Sequence, residues 1–274
     1  MTAPDRYGVM GYPVSHSRSP VIHRLFAMQT GENIQYELLQ VTPEKLEAAV
    51  RQFQRTGGKG LNVTVPFKEE AWELAATHSP RAERAGAVNT LLLDADGNHF
   101  GDNTDGAGLV RDLTHNHRCE IAGKRLLLVG AGGAARGVLE PLLAAHPALL
   151  VIANRTASKA VELARHFCDL GRVEGCGLDA VAGHSFDLVI NATAASLQGE
   201  APALPPGVIS SGTWCYDMMY GNEPTAFMHW ASELDAAVTM DGLGMLVEQA
   251  AESFRLWRSV RPDTAQVIRA LRLS

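Results

Sequence analysis

Eight residues, Gly130 to Gly137, read GAGGAARG directly after the apolar run Leu126-Leu127-Leu128-Val129. A buried strand there passes through a glycine turn into an Ala-rich helix start, the setting of a dinucleotide-binding fingerprint. Gly130 permits the tight turn, Gly132 lets backbone approach a pyrophosphate, and Ala135 lets helix and strand pack closely. Ala131, Gly133 and Ala134 complete the loop whose N–H groups face the phosphates at the helix N-terminus. A second apolar run, Leu149 to Ala153, completes a βαβ unit. An NAD site of this type places an acidic residue about 20 residues past the glycines, to bind the ribose hydroxyls. This chain has Asn154-Arg155-Thr156-Ala157-Ser158-Lys159 instead. With no carboxylate to repel it, a ribose 2′-phosphate meets the Arg155 fork, hydroxyl and backbone donors and the Lys159 charge, so NADP is preferred over NAD.

Four polar clusters fall at expected strand ends and turns, where a rigid scaffold presents side chains to ligands. They are His16-Ser17-Arg18-Ser19-Pro20, Asn62 to Lys68, Gly86-Ala87-Val88-Asn89-Thr90 and Gly101-Asp102-Asn103-Thr104-Asp105-Gly106. In the second, strand alternation puts Asn62 and Thr64 on one face and Val63 and Val65 on the other; Pro66 then ends the strand and Lys68 emerges beyond it.

The elements that must hold these groups alternate between strand-like and helical patterns, so the fold class is α/β with mainly parallel sheets. Strands are expected near Tyr7–Gly11, Tyr36–Val41, Gly60–Val65 and Thr90–Asp94, with helices from about Pro20 and Pro43. Thr42-Pro43 reads as an N-cap and first helical residue, and Gly57-Gly58 as a stop. Further strands are expected near Asp187–Ile190, Trp214–Met218 and Ala237–Met240, and closing helices at about Leu243–Arg258 and Thr264–Leu271. Pro141 is expected to kink the helix after the fingerprint. The chain is expected to cross into a second domain near Asp105 and to return near Gly242. That gives a substrate domain of residues 1–105 plus 242–274 and a Rossmann-type domain of 106–241.

The 274 residues are 46% hydrophobic with a formal charge of −6. Without a Lys/Arg block, nucleic-acid binding is not expected, and no apolar run reaches the ~18 residues of a membrane span. The start lacks an apolar signal core and the four cysteines show no CxxC pair, which fits a soluble protein of the reducing cytoplasm. His115 and His117 form an HxH pair without a third ligand in a sensible pattern, so they are read as exposed loop histidines and no metal is expected.

The strings GYPVSHSRSP, GLNVTVPFKEEA, GAVNT, GDNTDG, NRTASK, CYDMMY and DGLGMLVEQ, in this order around GAGGAARG, closely resemble the NADP-dependent shikimate dehydrogenases, over almost the whole chain. The resemblance implies two α/β domains with the active site in the cleft between them, and reduction of 3-dehydroshikimate to shikimate by a monomer or homodimer. It makes Lys68 the catalytic acid/base and Asp105 its partner, with Ser17 and Ser19 on the substrate carboxylate. It also places Thr64, Asn89, Tyr220 and Gln249 on the carboxylate or ring hydroxyls, and Met218 and Gly242 against the nicotinamide. Two positions depart from the family pattern: Tyr12 stands where Asn is usual, and Ala194-Ala195 where hydroxylated residues are common.

Plainer roles stand beside these. Asp105 suits a cap of the following helix and Ser17 or Ser19 a cap near Pro20. Asn89 and Gln249 suit core polar groups, and Tyr220 and Met218 suit packing. A quinate/shikimate dehydrogenase with broader substrate or cofactor use, and a nucleotide-sensing regulator on the same fold, are the alternative functions.

Overall fold

The computed structural model describes residues 3–273. The chain runs β1 (Asp5–Gly11), α1 (Ser19–Thr30), β2 (Ile34–Gln40), α2 (Leu46–Arg55), β3 (Gly58–Val63), α3 (Lys68–Leu74), β4 (Thr77–His78), α4 (Pro80–Ala85), β5 (Thr90–Leu92), β6 (Phe100–Asp102) and α5 (Asp105–Arg111). It continues through β7 (Arg125–Val129), α6 (Gly133–Ala144), β8 (Leu149–Asn154), α7 (Ala157–Phe167), β9 (Val173–Gly177), β10 (Leu188–Asn191), β11 (Trp214–Asp217), α8 (Ala226–Glu233) and β12 (Val238–Met240). Two helices, α9 (Leu243–Arg258) and α10 (Thr264–Arg272), close it. Two compact units result: residues up to Gly108 together with those from Val247 onward, and Leu109–Leu246.

The first unit holds a sheet of order β2-β1-β3-β5-β6-β4, parallel except where β5 pairs β3 and β6. Strand alternation divides its residues between two faces. Met10, Leu61, Val63 and Leu91 join Val50 and Phe53 of α2 and Phe67 and Ala71 in one core. The opposite face carries Tyr7, Gly60, Asn62 and Thr90 toward α9. There Tyr7 stacks on Trp257 at 4.7 Å and the Trp257 indole donates to the Leu91 carbonyl at 3.0 Å. A side chain at Gly60 would run into that indole, with a Cβ only 2.4 Å from its nitrogen.

The second unit is a wholly parallel sheet of order β12-β11-β10-β7-β8-β9. Its strands read as near-continuous apolar runs because both faces are covered. Leu126, Leu128 and Ile152 pack with α6 and α7 on one side, and Leu127, Val129 and Val151 pack with Phe186 and Phe227 on the other.

Two expectations are corrected, for the start of α2 and for the histidine pair. Helix α2 begins at Leu46, not Pro43, because Glu44 takes a left-handed φ of 70° and breaks the run. α6 continues through Pro141 to Ala144. His115 lies in a π-helical turn, Asp112–Asn116, and the half-buried His117 faces the Asp112 carboxylate at 3.7 Å, so the pair is not a plain exposed loop. Among the described residues, no helix is long and apolar enough to cross a membrane.

Candidate active site

Backbone hydrogen bonds draw three of the polar clusters together in the first unit. Val63 N–H donates to the Asn89 carbonyl at 2.8 Å, Val88 N–H to that of Lys68 at 2.8 Å, and Asn89 N–H to that of Asp102 at 3.0 Å. Lys68 thus opens α3 beside the turn that opens α5, and its Nζ lies 2.5 Å from Asp105 Oδ2. The Lys68 side chain keeps 25% exposure and Asp105 11%, so the pair is shielded yet open to a ligand. Asp105 Oδ1 accepts from Asn89 Nδ2 at 2.8 Å, and Gln249 Oε1 lies 3.4 Å from both Asn89 Nδ2 and Thr104 Oγ1. Asp105 is itself the first residue of α5, its carboxylate oxygens meet Lys68 and Asn89, and its own N–H donates to Asn103 Oδ1 at 3.2 Å.

The turn carrying Asp105 is anchored from below. Arg81 grips Asp102 through two bonds, of 2.7 and 2.6 Å, the bidentate geometry that fixes a carboxylate best. Ser79 and the Asn103 N–H add two more donors to Asp102.

Ser17 and Ser19 stand together at the start of α1: the Ser17 hydroxyl donates to Ser19 Oγ at 3.1 Å and accepts from the Ser19 N–H at 3.3 Å. Neither caps the helix, whose N-cap is Arg18 with no side-chain bond. Thr64 lies just past β3, where its N–H still bonds Met10 at 2.9 Å, and the threonine is half-buried.

The second unit presents the glycine turn. Gly130 has φ of 112°, and a side chain there would meet Thr193 and the Ala192 carbonyl at 3.1 and 3.2 Å. Gly132 and Gly133 face open space, no side chain caps α6, and its first N–H groups are therefore free for an anion. Ala131 and Ala134 flank them, half-buried, and Ala135 is fully buried in the core. At the end of β8, Asn154 Nδ2 holds the Thr156 carbonyl at 3.0 Å. Arg155, Thr156, Ala157, Ser158 and Lys159 are exposed, and neither cation has an ion-pair partner among the described residues. This donor set, two free cations and two hydroxyls with no carboxylate, fits a nucleotide carrying an extra phosphate.

Asp217, at the end of β11, organises the loops nearby. Burial pushes its carboxyl upward, while the Ser196 and Thr225 hydroxyls, the Met219 N–H and Asn191 Nδ2 hydrogen-bond to it and oppose that rise. Met218 is buried, and the Gly242 position admits no side chain, since a Cβ would lie 2.2 Å from the Met218 carbonyl. Tyr220 is half-buried in the same loop. Lys68, Asp105, Asn89 and Gln249 are brought into contact in the first unit, whereas Tyr220, Met218 and Gly242 belong to the second. Sequence reading assigned nothing to Asp217, Thr90 or Ser253; for Thr90, its place beside Asn89 was the available signal.

Fold and site together define a two-unit α/β protein of the dinucleotide-binding class. Residues 9–91 match the shikimate dehydrogenase substrate binding domain, 112–198 the shikimate/quinate 5-dehydrogenase domain and 242–272 the shikimate 5′-dehydrogenase C-terminal domain. The chain belongs to the shikimate dehydrogenase family. It is 57% identical to the shikimate dehydrogenase (NADP(+)) of Nitrosococcus oceani over 98% of this chain and 95% of that one. To that of Methylococcus capsulatus it is 58% identical, over 99% and 97%. Among solved structures it resembles the Ael1 enzyme from Pseudomonas putida, with a TM-score of 0.92, 45% identity and coverage of 97% and 98%. It also resembles the Thermus thermophilus shikimate 5-dehydrogenase in complex with NADP(H) and shikimate, with a TM-score of 0.87, 32% identity and 98% of each chain covered.

Proposed function

We propose that this protein catalyses the reversible, NADPH-dependent reduction of 3-dehydroshikimate to shikimate. The observation that carries the reading is the Lys68–Asp105 contact of 2.5 Å, built into a chain 57% identical to a curated NADP(+)-dependent shikimate dehydrogenase. NADP, when bound, supplies or removes the hydride. As charge grows on the substrate oxygen, the Lys68 ammonium stabilises it and delivers the proton; in the reverse direction the lysine takes that proton back. Asp105 holds the ammonium in place, and Asn89 holds Asp105. Ser17 and Ser19 receive the substrate carboxylate, while Thr64, Gln249 and Tyr220 bind its carboxylate or ring hydroxyls.

Gly130–Ala134 and the N-terminus of α6 hold the pyrophosphate in this reading, Asn154–Lys159 the 2′-phosphate, and Met218 and Gly242 flank the nicotinamide. A cytoplasmic location accords with four cysteines that form no disulfide. One assay matrix tests the function: shikimate and quinate, each with NADP+ and NAD+, followed by nicotinamide absorbance. Shikimate with NADP+ is expected to give the highest kcat/KM. No turnover of shikimate refutes the reading, and comparable turnover of quinate replaces it with the broader quinate/shikimate activity.

A further inference from the structure

Behind Asn89 the first unit contains a buried hydrogen-bond chain that reaches from α9 to the Asp105 carboxylate. Asn62, Asn89, Thr90, Thr104 and Ser253 are each at most 7% exposed, so their hydrogen bonds form in a low dielectric where satisfaction matters most. The directions of these bonds follow from counting hydrogens. The Thr104 backbone N–H, which can only donate, reaches Asn89 Oδ1 at 2.9 Å and fixes the orientation of that amide. Asn89 Nδ2 must then point toward Asp105 Oδ1, at 2.8 Å, and Thr104 Oγ1, at 3.0 Å.

The Thr90 hydroxyl, 2.9 Å from Asn89 Oδ1, can only donate to it. In the 2.7 Å contact between Thr90 and Ser253, the serine is therefore the donor. Ser253 in turn accepts from Asn62 Nδ2 at 3.0 Å, and Asn62 Oδ1 accepts from the Tyr36 hydroxyl at 2.7 Å. Every link thus points the same way, from Asn62 through Ser253, Thr90 and Asn89 to Asp105. The ordinary role of a helical serine is a back-bond to the carbonyl four residues earlier, here Gln249 at 3.1 Å. One hydroxyl proton cannot serve Gln249, Thr90 and Thr104, whose Oγ1 lies at 3.3 Å, and the Thr90 contact is the shortest.

We infer that Ser253 and Thr90 are positioning residues for the reaction: they lock the Asn89 amide so that it holds Asp105, and through it Lys68, at the reacting oxygen. Trp257, one turn beyond Ser253, pins this part of α9 to the Leu91 carbonyl and sets the serine against β5. The inference rests on the proposed acid/base role of Lys68 and Asp105, and concerns what holds that pair in register.

The test uses the full-length variants Ser253→Ala, Thr90→Val, Thr90→Ser and the double variant Ser253→Ala/Thr90→Val. Thr90→Val keeps the shape and removes the hydroxyl, whereas Thr90→Ser keeps the hydroxyl. Each deletion is expected to lower kcat by about 5- to 30-fold, the range of one buried hydrogen bond, with KM for shikimate and for NADP+ within about threefold of wild type. Thr90→Ser is expected to restore most of kcat. The double variant is expected to be no slower than Thr90→Val, because Ser253 acts through Thr90. Multiplying effects in the double variant, equal losses in Thr90→Ser and Thr90→Val, or losses confined to KM overturn the inference. Wild-type turnover of shikimate judges the proposed function separately. A crystal structure of Thr90→Val judges the lock without any assay: an Asn89 Nδ2 to Asp105 Oδ1 distance unchanged from 2.8 Å overturns it.

Discussion

Stability of the first unit in mild acid should be governed in part by His23. The imidazole is fully buried on α1, stacked on Tyr36 at 4.2 Å and 7°, and neither ring nitrogen has a hydrogen-bond partner among the described residues. Burial pushes it down to about 3 from the ordinary 6.5, with the nearby Asn62 side chain opposing that fall. The folded chain therefore keeps His23 neutral while the unfolded chain takes up a proton below pH 6.5, and stability declines as pH falls. At pH 4.5 the loss covers two pH units at about 1.4 kcal/mol each, hence about 2 to 3 kcal/mol from this group. It levels off only below pH 3, where the native imidazole itself becomes charged. Other groups titrate over the same range, so the comparison is with His23→Phe, which keeps a ring against Tyr36. Any packing cost of the larger ring is the same at both pH values and cancels. Amide exchange of the protected β1 and β3 protons at pH 7.5 and 4.5 reports the opening of this unit. Wild type should lose about 2 to 3 kcal/mol more than His23→Phe between the two. Equal losses in the two proteins, or an imidazole NMR signal that titrates above pH 5, would falsify the argument.

Three further predictions bear on the reaction. Lys68→Ala should stay folded and bind NADP and shikimate, yet turn over ~10²- to 10⁴-fold more slowly; near-normal kcat in a variant with native circular dichroism removes Lys68 from the chemistry. Arg155→Ala should weaken NADP by roughly 1.5 to 3 kcal/mol and barely alter NAD, as measured by fluorescence titration; equal weakening of both means that the guanidinium does not meet the 2′-phosphate. Replacing Ser17 and Ser19 together by Ala should chiefly raise KM for shikimate and leave NADP affinity unchanged. A collapsed kcat at unaltered KM would place them at the reacting carbon instead.

What could be read from the chain without coordinates was whatever has a local signature. The Leu126–Gly137 strand, turn and helix and the full span of α9 were legible because apolar periodicity and glycine placement act over a few residues. The strands β4 (TH), β6 (FGD) and the half-exposed β9 (VEGCG) were not, since none of them carries an apolar run. The same divide runs through the candidate site. Lys68 and Asp105 were legible from their motifs, but the role of Asp217 depends on hydroxyls at 196 and 225 and on Asn191, drawn together only by the order of β10, β11 and α8. Ser253 reads as one polar residue in an amphipathic helix until α9 is laid against β5.

The two units differ in how their residues are strung along the chain, and this sets the order in which each can be completed during synthesis. Leu109–Leu246 is one uninterrupted stretch, so every strand of its sheet has been synthesised before Val247 is added. The other unit starts first and finishes last. Its β1 and β3 emerge early, yet Phe254, Trp257, Val267 and Leu271, which close it, are translated only at the far end. Through the intervening synthesis, at ~5–20 residues per second, the nascent chain displays the face of Tyr7, Phe26 and Tyr36 uncovered. A released chain that ends at Leu246 should carry a folded second unit and an unfinished, aggregation-prone first one, so the stretch made before the second unit is the one that most needs protection while the rest is made.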